Sequence, residues 1–417
     1  MAQRNYSKLV PSDSFMGRYL AYMVSQETAQ SYDWWCSLWC VSAACGRRIR
    51  VARPRAPVFL NMFVILVGES GRVRKSASVT MAGNLIRRLT HDTEVGYVDA
   101  RMTAESLDLL LHDRTMQYGS SQLCITIPEL AVFLGTESYI ANMPTLLTDL
   151  YDCPENRHGG GTIARGECIQ RSVYISLLSA STPIWLIKAI NPKVIEGGFT
   201  SRCMFIIADQ PKRSIPWPED GDPTLLQDIE DDLRIIQAES HVRPDIALSD
   251  NALLMFRHWY AKRPRALDSF KQSFEAREDA HVLRVAALLS INDGSWLIDK
   301  RHLDVAIQLI TELKEQSGAI FHGSELRTKY GAALDTIRST LMSAGMDPVP
   351  RHKLYMRCKH AVNHGEFIQV IEVLHELGAI QRFEFRPEGR GRPTDYMRGT
   401  ELLLARGLGD QVMRHFI

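Results

Sequence analysis

Apolar and aromatic residues recur at helical spacing near the start of the chain. Phe15, Tyr19, Leu20, Met23, Trp34, Trp35, Leu38, Trp39 and Val41 follow one another with few breakers, which predicts two helices between positions 15 and 45. A basic stretch follows, Arg47, Arg48, Arg50, Arg53 and Arg55, and reads first as a solvated linker and second as a phosphate contact. From 62 to 209 short β-rich runs alternate with helical ones, the signature of a mainly parallel sheet with crossover helices. The predicted strands are 63–67, 95–98, 123–127, 173–178 and 203–208. A Pro-rich acidic connector, PKRSIPWPEDGDP, comes next, and helical periodicity continues to about Gln316.

The last segment has its own pattern. It predicts a long helix over 325–343, a short one over 351–358, a third over 366–377, and two β-prone runs, 379–386 and 394–398. The runs flank a basic, glycine-rich tip at 387–392. Three helices and a hairpin form a winged-helix pattern. The expected organisation is therefore an α/β protein with a helical N-terminal segment (1–56), a core with a parallel sheet (57–215), a further helical region (216–320) and a C-terminal winged-helix domain (321–417).

Composition narrows the partners less than the pattern does. In 417 residues, 49 Lys and Arg nearly cancel 48 Asp and Glu, so a nucleic-acid surface has to come from local clustering. The eight cysteines form no CxxC pair and sit mostly in apolar runs, which suits reduced thiols in a cytoplasmic compartment. No run reaches the roughly 20 apolar residues of a membrane span, so no membrane partner is expected.

Candidate chemistry begins where the 63–67 strand meets Gly68-Glu-Ser-Gly-Arg-Val-Arg-Lys-Ser76 and then a helix, 77–89. A glycine-bearing turn between strand and helix cradles phosphates with backbone N–H groups, a lysine neutralises them, and a Ser or Thr hydroxyl holds Mg²⁺. Gly68, Ser70, Gly71, Arg74, Lys75 and Ser76 are thus the nucleotide-binding candidates, and Ser76 the metal ligand. Two departures stand out: Arg74 occupies the place of the usual glycine before the lysine, and the loop is one residue longer. Glu129, after LCITIP, is the candidate for activating water, or else an ordinary strand-end glutamate. Pro128 stands where a metal-associated Asp is usual. Ser181 and Thr182 are placed to orient water at a γ-phosphate, and a hydroxyl pair before proline is equally good turn chemistry. Arg202, behind Gly197-Gly198 and read as exposed, is placed as a finger for a neighbouring subunit's phosphate.

The ordered set LVGESGRVRKS, the Glu129 strand, LLSASTP, GGFTSRCMFIIAD and HVLRVAALLS resembles ATPases of phages, plasmids and integrated elements with AAA+ replicative-helicase motifs. SRCMFIIAD resembles the arginine-finger strand of the minichromosome-maintenance helicases, and LRVA with DKRHLDVAIQLI resembles their lid helices. The resemblance implies an ATP- and Mg²⁺-dependent hexameric ring acting on DNA, with Arg284 as a second sensor, and other replication or mobile-element proteins as further partners. It also implies a β-hairpin near Arg157 and Arg165 that points into the ring channel and tracks a sugar-phosphate backbone. In the tail, Arg351, Lys353, Arg357, Lys359, Arg390 and Arg392 supply positive charge for DNA phosphates. The expected function is an ATP-dependent DNA helicase or translocase. Its rivals are an ATP-driven loader, initiator or transposition regulator without strand separation, and a weakly hydrolysing structural DNA-binding protein.

Overall fold

The computed structural model describes residues 4–134, 142–159, 168–189, 198–217, 219, 221–263, 269–345, 347–385 and 394–404. They divide into two compact units, Met1–Gly318 and Ala319–Ile417.

In the first unit α1 (Phe15–Tyr22) and α2 (Gln30–Cys45) precede two short strands, β1 (Arg50–Val51) and β2 (Val58–Phe59). Then come β3 (Phe63–Val67), α3 (Lys75–Leu89), β4 (Val95–Val98), α4 (Ala104–Tyr118), β5 (Gln122–Ile127), α5 (Leu130–Leu134) and α6 (Asn142–Tyr151). A hairpin, β6 (Asn156–Gly159) and β7 (Cys168–Arg171), leads to β8 (Tyr174–Ser181), α7 (Pro183–Ala189) and β9 (Cys203–Ile207). The remainder is α8 (Pro223–Ser240), β10 (Asp245–Leu248), α9 (Asp250–Lys262), α10 (Ser269–Asn292), β11 (Leu297–Ile298) and the first part of α11 (Lys300–Ala344).

The five predicted strands form one all-parallel sheet in the order β4-β5-β8-β3-β9. Every residue of β3, β5 and β8 is buried, as parallel strands covered on both faces require. The central helix is α2. All its residues from Tyr32 to Cys45 are buried, so its weak amphipathicity reflects packing all round, and it ends at Gly46, whose φ of 58° favours glycine. The hydroxyls of β8, expected at its end, lie inside the strand: Ser176 Oγ donates to Met62 O (3.1 Å) and Ser179 Oγ to Ile127 O (2.7 Å), tying β8 to its flanks.

The basic stretch 47–55 is not a free linker. It carries β1, which pairs with β10 and β2 in a second sheet ordered β11-β10-β1-β2. Arg47, Arg48, Arg50 and Arg53 pair with Glu155, Glu94, Asp245 and Asp279 respectively. Strands of two residues leave too short a period to be read from sequence. All eight cysteines are buried and free, and among the described residues no helix is long and apolar enough to cross a membrane.

In the second unit the later part of α11 precedes β12 (Val349–Pro350), α12 (Arg351–Cys358), α13 (His364–Glu376), β13 (Ile380–Phe385) and β14 (Thr394–Gly399). The sheet order is β12-β14-β13, antiparallel throughout. Tyr330, Ala333, Leu334, Ile337 and Leu341 of α11 share a core with Phe367, Val370, Ile371 and Leu374 of α13, both sets at helical spacing. Asn363 and Glu366 form a reciprocal capping box that starts α13.

Candidate functional site

All five strands of the main sheet point their C-terminal ends to one edge, where ligands of open α/β sheets gather. The loop after β3 is shaped for a phosphate chain. Gly68 is packed so closely that an added Cβ would lie 2.6 Å from Tyr32 Oη and 2.7 Å from Ala208 O. Gly71 has φ 75° and Arg74 φ 45°, two left-handed residues that turn successive N–H groups into the loop. Helix α3 then starts at Lys75 with no side-chain cap and no acidic residue in its first turn, leaving its N-terminal N–H groups and the positive end of its dipole for an anion. Lys75 Nζ donates to Gly68 O (2.7 Å) and Glu69 O (2.9 Å), curling over the loop, and partial burial lowers its pKa. Ser70 and Ser76 are exposed. The loop residues are thus brought together as expected.

Arg74 reaches away from the loop to Glu27 (3.2 Å). A non-glycine residue in the left-handed region costs on the order of 1 kcal/mol, and an exposed ion pair returns less than that. Arg74→Gly should therefore raise stability by up to about 1 kcal/mol in urea unfolding; a loss of that size would show the Glu27 pair holding the turn.

Glu129 follows β5 on the same edge and is exposed. β8 separates β5 from β3, so Glu129 lies two strand spacings, about 10 Å, from the loop strand, a span for a phosphate group and a water. Thr182 is already engaged: its Oγ1 accepts from Trp185 N (3.3 Å) as the cap of α7. Ser181 is a buried strand residue. Turn chemistry thus accounts for Thr182 here. Among the described residues no group of three or more His, Cys, Asp or Glu is arranged to hold a metal; the donor set at this edge, Ser76 with Glu129, fits Mg²⁺ only alongside phosphate oxygens and water.

The two arginines expected to sense a nucleotide, Arg202 and Arg284, lie elsewhere. Because Cys203 pairs with Phe63, Arg202 sits at the N-terminal edge of the sheet, some 13 Å along the strands from the loop. Strand order does not separate them, for β9 is the direct neighbour of β3. Arg202 is also not exposed: it is 8 % accessible, with Nη1 donating to Gly198 O (2.8 Å) and Nη2 to Asp152 (2.9 Å). Arg284 is buried beside it, donating from Nε to Phe59 O (2.8 Å) and lying 4.7 Å over the Tyr151 ring. Arg277 joins them on Asp152 (2.7 and 3.2 Å). Burial raises the Asp152 pKa, but the Arg277 and Arg202 guanidiniums outweigh it and hold the carboxyl below its usual range.

His281 lies in the same cluster, donating from Nε2 to Ser201 O (2.8 Å). Burial, then the charges of Arg284, Arg277 and Arg202, push its pKa down to about 3. The neutral ring therefore supports folding fully above the unfolded value of 6.5, and the support fades as pH falls from 6.5 toward 3, by up to a few kcal/mol. Wild-type unfolding temperature should drop more steeply over that window than that of His281→Gln; equal slopes would place His281 elsewhere in the balance.

Arg157 is corrected as a free backbone contact. It stands at the base of the β6–β7 hairpin, 19 % exposed in its side chain, bonded to Asp108 (2.7 Å) and Gln170 (3.0 Å). Arg165 lies outside the described residues, as do Arg390 and Arg392. In the second unit Arg351 pairs with Asp395 (2.7 Å). Lys353, Arg357 and Lys359 are exposed, with Arg357 Nη1 also donating to Thr340 Oγ1 (3.2 Å). The exposed face of α13 carries His364, Gln369, Glu372, His375 and Glu376 instead, so the positive charge belongs to α12.

Sequence reasoning missed Asp33, the lone acid in the apolar run of α2. It is fully buried and accepts from Thr28 Oγ1 (2.7 Å), Ser78 Oγ (2.9 Å) and Lys212 Nζ (2.7 Å). Ser78 is one turn into the helix that Lys75 begins. Tyr32, donating to Val67 O (2.7 Å), braces the end of β3 from the same helix. A carboxylate inside YDWWCSLWC was the available signal, since a buried acid needs partners.

Fold and site together define an α/β protein with a phosphate-shaped loop at the C-terminal edge of a parallel sheet. Comparison with protein-family models and with curated proteins gives no match.

Proposed function

We propose that this chain is an ATP-dependent, DNA-directed P-loop ATPase with an AAA+-like core and a C-terminal winged helix, working as a ring of identical subunits as a helicase or translocase of a mobile element or phage. The observation that carries the reading is the loop between β3 and α3, with two left-handed residues, an uncapped helix start and Lys75 above it. Lys75 and the loop N–H groups bind the triphosphate, Ser76 holds Mg²⁺, and Glu129 takes the proton of the attacking water. The loop strand's place between the fourth and fifth strands of the sheet is in keeping with an AAA+-like core. In the second unit, the basic face of α12, with Lys353, Arg357 and Lys359, supports phosphate contacts to DNA.

One observation favours the second reading, an ATP-driven switch without strand separation. Arg202 is held by Asp152, so it must be released before it can act on a neighbour's phosphate. Phosphate release and strand displacement on forked, single-stranded and duplex DNA, with mass measured alongside, separate the two. DNA-stimulated release with displacement supports the motor. Stimulated assembly without displacement supports the switch, and no release under any condition removes the ATPase reading.

A further inference from the structure

At the N-terminal edge of the sheet, Arg53, Phe59, Tyr151, Asp152, Arg277 and Arg284 line a cleft of about 480 Å³. Arg284 is 5 % exposed, and its Nη1 has no hydrogen-bond partner among the described residues. A buried guanidinium nitrogen without an acceptor carries a full desolvation cost, so this site lacks an acceptor. The charges agree. Arg277 and Arg202 share the Asp152 carboxylate, Arg53 takes Asp279 (2.8 Å), and Arg284 has neither. Four arginines thus face two carboxylates, and His281 beside them is held neutral by burial and then by the arginine charges.

We propose that this cleft is a phosphate-binding site in which the Asp152 carboxylate stands in for the oxyanion until a phosphate displaces it. Guanidinium forks bind carboxylate and phosphate by the same paired N–H···O geometry. A carboxylate has two oxygens, both already used, and cannot reach Arg284 as well. A phosphate brings more oxygens, enough for Arg277, Arg202 and the spare Nη1 of Arg284 together. The Tyr151 ring, 4.7 Å beneath the Arg284 guanidinium, fixes its plane. Asp152 is half exposed, so its side chain can leave for solvent while the arginines stay. The ligand is a phosphate chain, free or on a nucleotide carried by a second copy of this chain. This site lies at the opposite edge from the Lys75 loop and does not depend on it. Where the ring reading holds, displacement of Asp152 is also what frees Arg202.

The test is calorimetric titration of inorganic tripolyphosphate into the full chain carrying Lys75→Ala, which silences the loop. Saturable binding is expected, tightened about tenfold by Asp152→Asn and weakened tenfold or more by Arg277→Ala. Arg53→Ala, at a more exposed position, should weaken it less and serves if the Arg277 variant fails to fold. ATP in a parallel arm reports the source: affinity equal to tripolyphosphate means that the site reads phosphates alone, and binding seen only with ATP-loaded wild-type chain added means that a second copy delivers them. Absence of binding in all arms, Asp152→Asn included, or binding indifferent to both arginine variants, overturns the proposal. Failure of wild-type chain to bind ATP at the Lys75 loop would leave this result standing and end the other reading alone.

Discussion

Asp33→Ala is expected to cost about 3–5 kcal/mol of stability, the range for removing one partner of a buried ion pair. Asp33 is fully buried beneath the start of α3, and burial pushes its carboxyl pKa up against the pull of Lys212 and the hydroxyls of Thr28 and Ser78. Removing it leaves the Lys212 ammonium facing Thr28 and the Met23 carbonyl with no counter-charge. It also frees Ser78, so the first turn of α3 loosens where the phosphate is to be held. The double variant Asp33→Leu with Lys212→Met removes both charges and should recover most of the loss, because an apolar replacement of a buried pair is often close to neutral. Urea unfolding of the three proteins decides it. A single variant within 1 kcal/mol of wild type would mean that the network is solvated in solution.

Arg202→Ala is expected to leave ATP affinity near wild type and to lower turnover by roughly 10³-fold, the scale for arginine fingers. The Arg202 backbone stands about 13 Å along the strands from the loop and its guanidinium is turned to Gly198 and Asp152, away from a phosphate bound by its own Lys75. In a ring it meets the neighbour's, after leaving Asp152. The fold should survive, since Asp152 keeps both of its contacts from Arg277. Arg202→Lys keeps the charge but not the fork, and should stay slow. Mixing Arg202→Ala with Lys75→Ala chains should restore turnover at interfaces that pair an intact loop with an intact finger. No rescue in mixed rings of verified mass would assign Arg202 to structure, with Asp152 its permanent partner.

The main sheet was legible because its strands are short apolar runs set between helical periods; β3 and β4 begin and end where the pattern places them. In the second unit α12, α13, β13 and β14 were legible for the same reason, whereas the hairpin before β8 was expected from the family resemblance alone and the two-residue β12 was not read. The small sheet was not, because Arg50–Val51 is paired with residues nearly 200 positions away, Val58–Phe59 is only its two-residue neighbour, and neither carries a local signal. The same limit applied to the arginines. Position next to a strand placed Arg202 correctly along the chain, but its burial depends on Asp152 and Tyr151, which only the fold brings together. Arg157 was misjudged likewise, as its charge is absorbed by Asp108 from α4. The loop at Lys75 is more local, since the lysine's own contacts lie within eight residues and Arg74 adopts the left-handed turn that glycine usually supplies; the packing of Gly68 on Tyr32 and Ala208 and the Arg74–Glu27 pair carry no such signal.

On the proposed reading the loop between β3 and α3 holds a triphosphate. Titration of ATP with Mg²⁺ into wild type and Lys75→Ala tests it directly, with unfolding temperature as the control for fold. Wild type is expected to bind saturably, and the variant to lose at least tenfold in affinity, from removal of one ammonium charge on a phosphate, at unchanged stability. Equal affinity in the two proteins would contradict it.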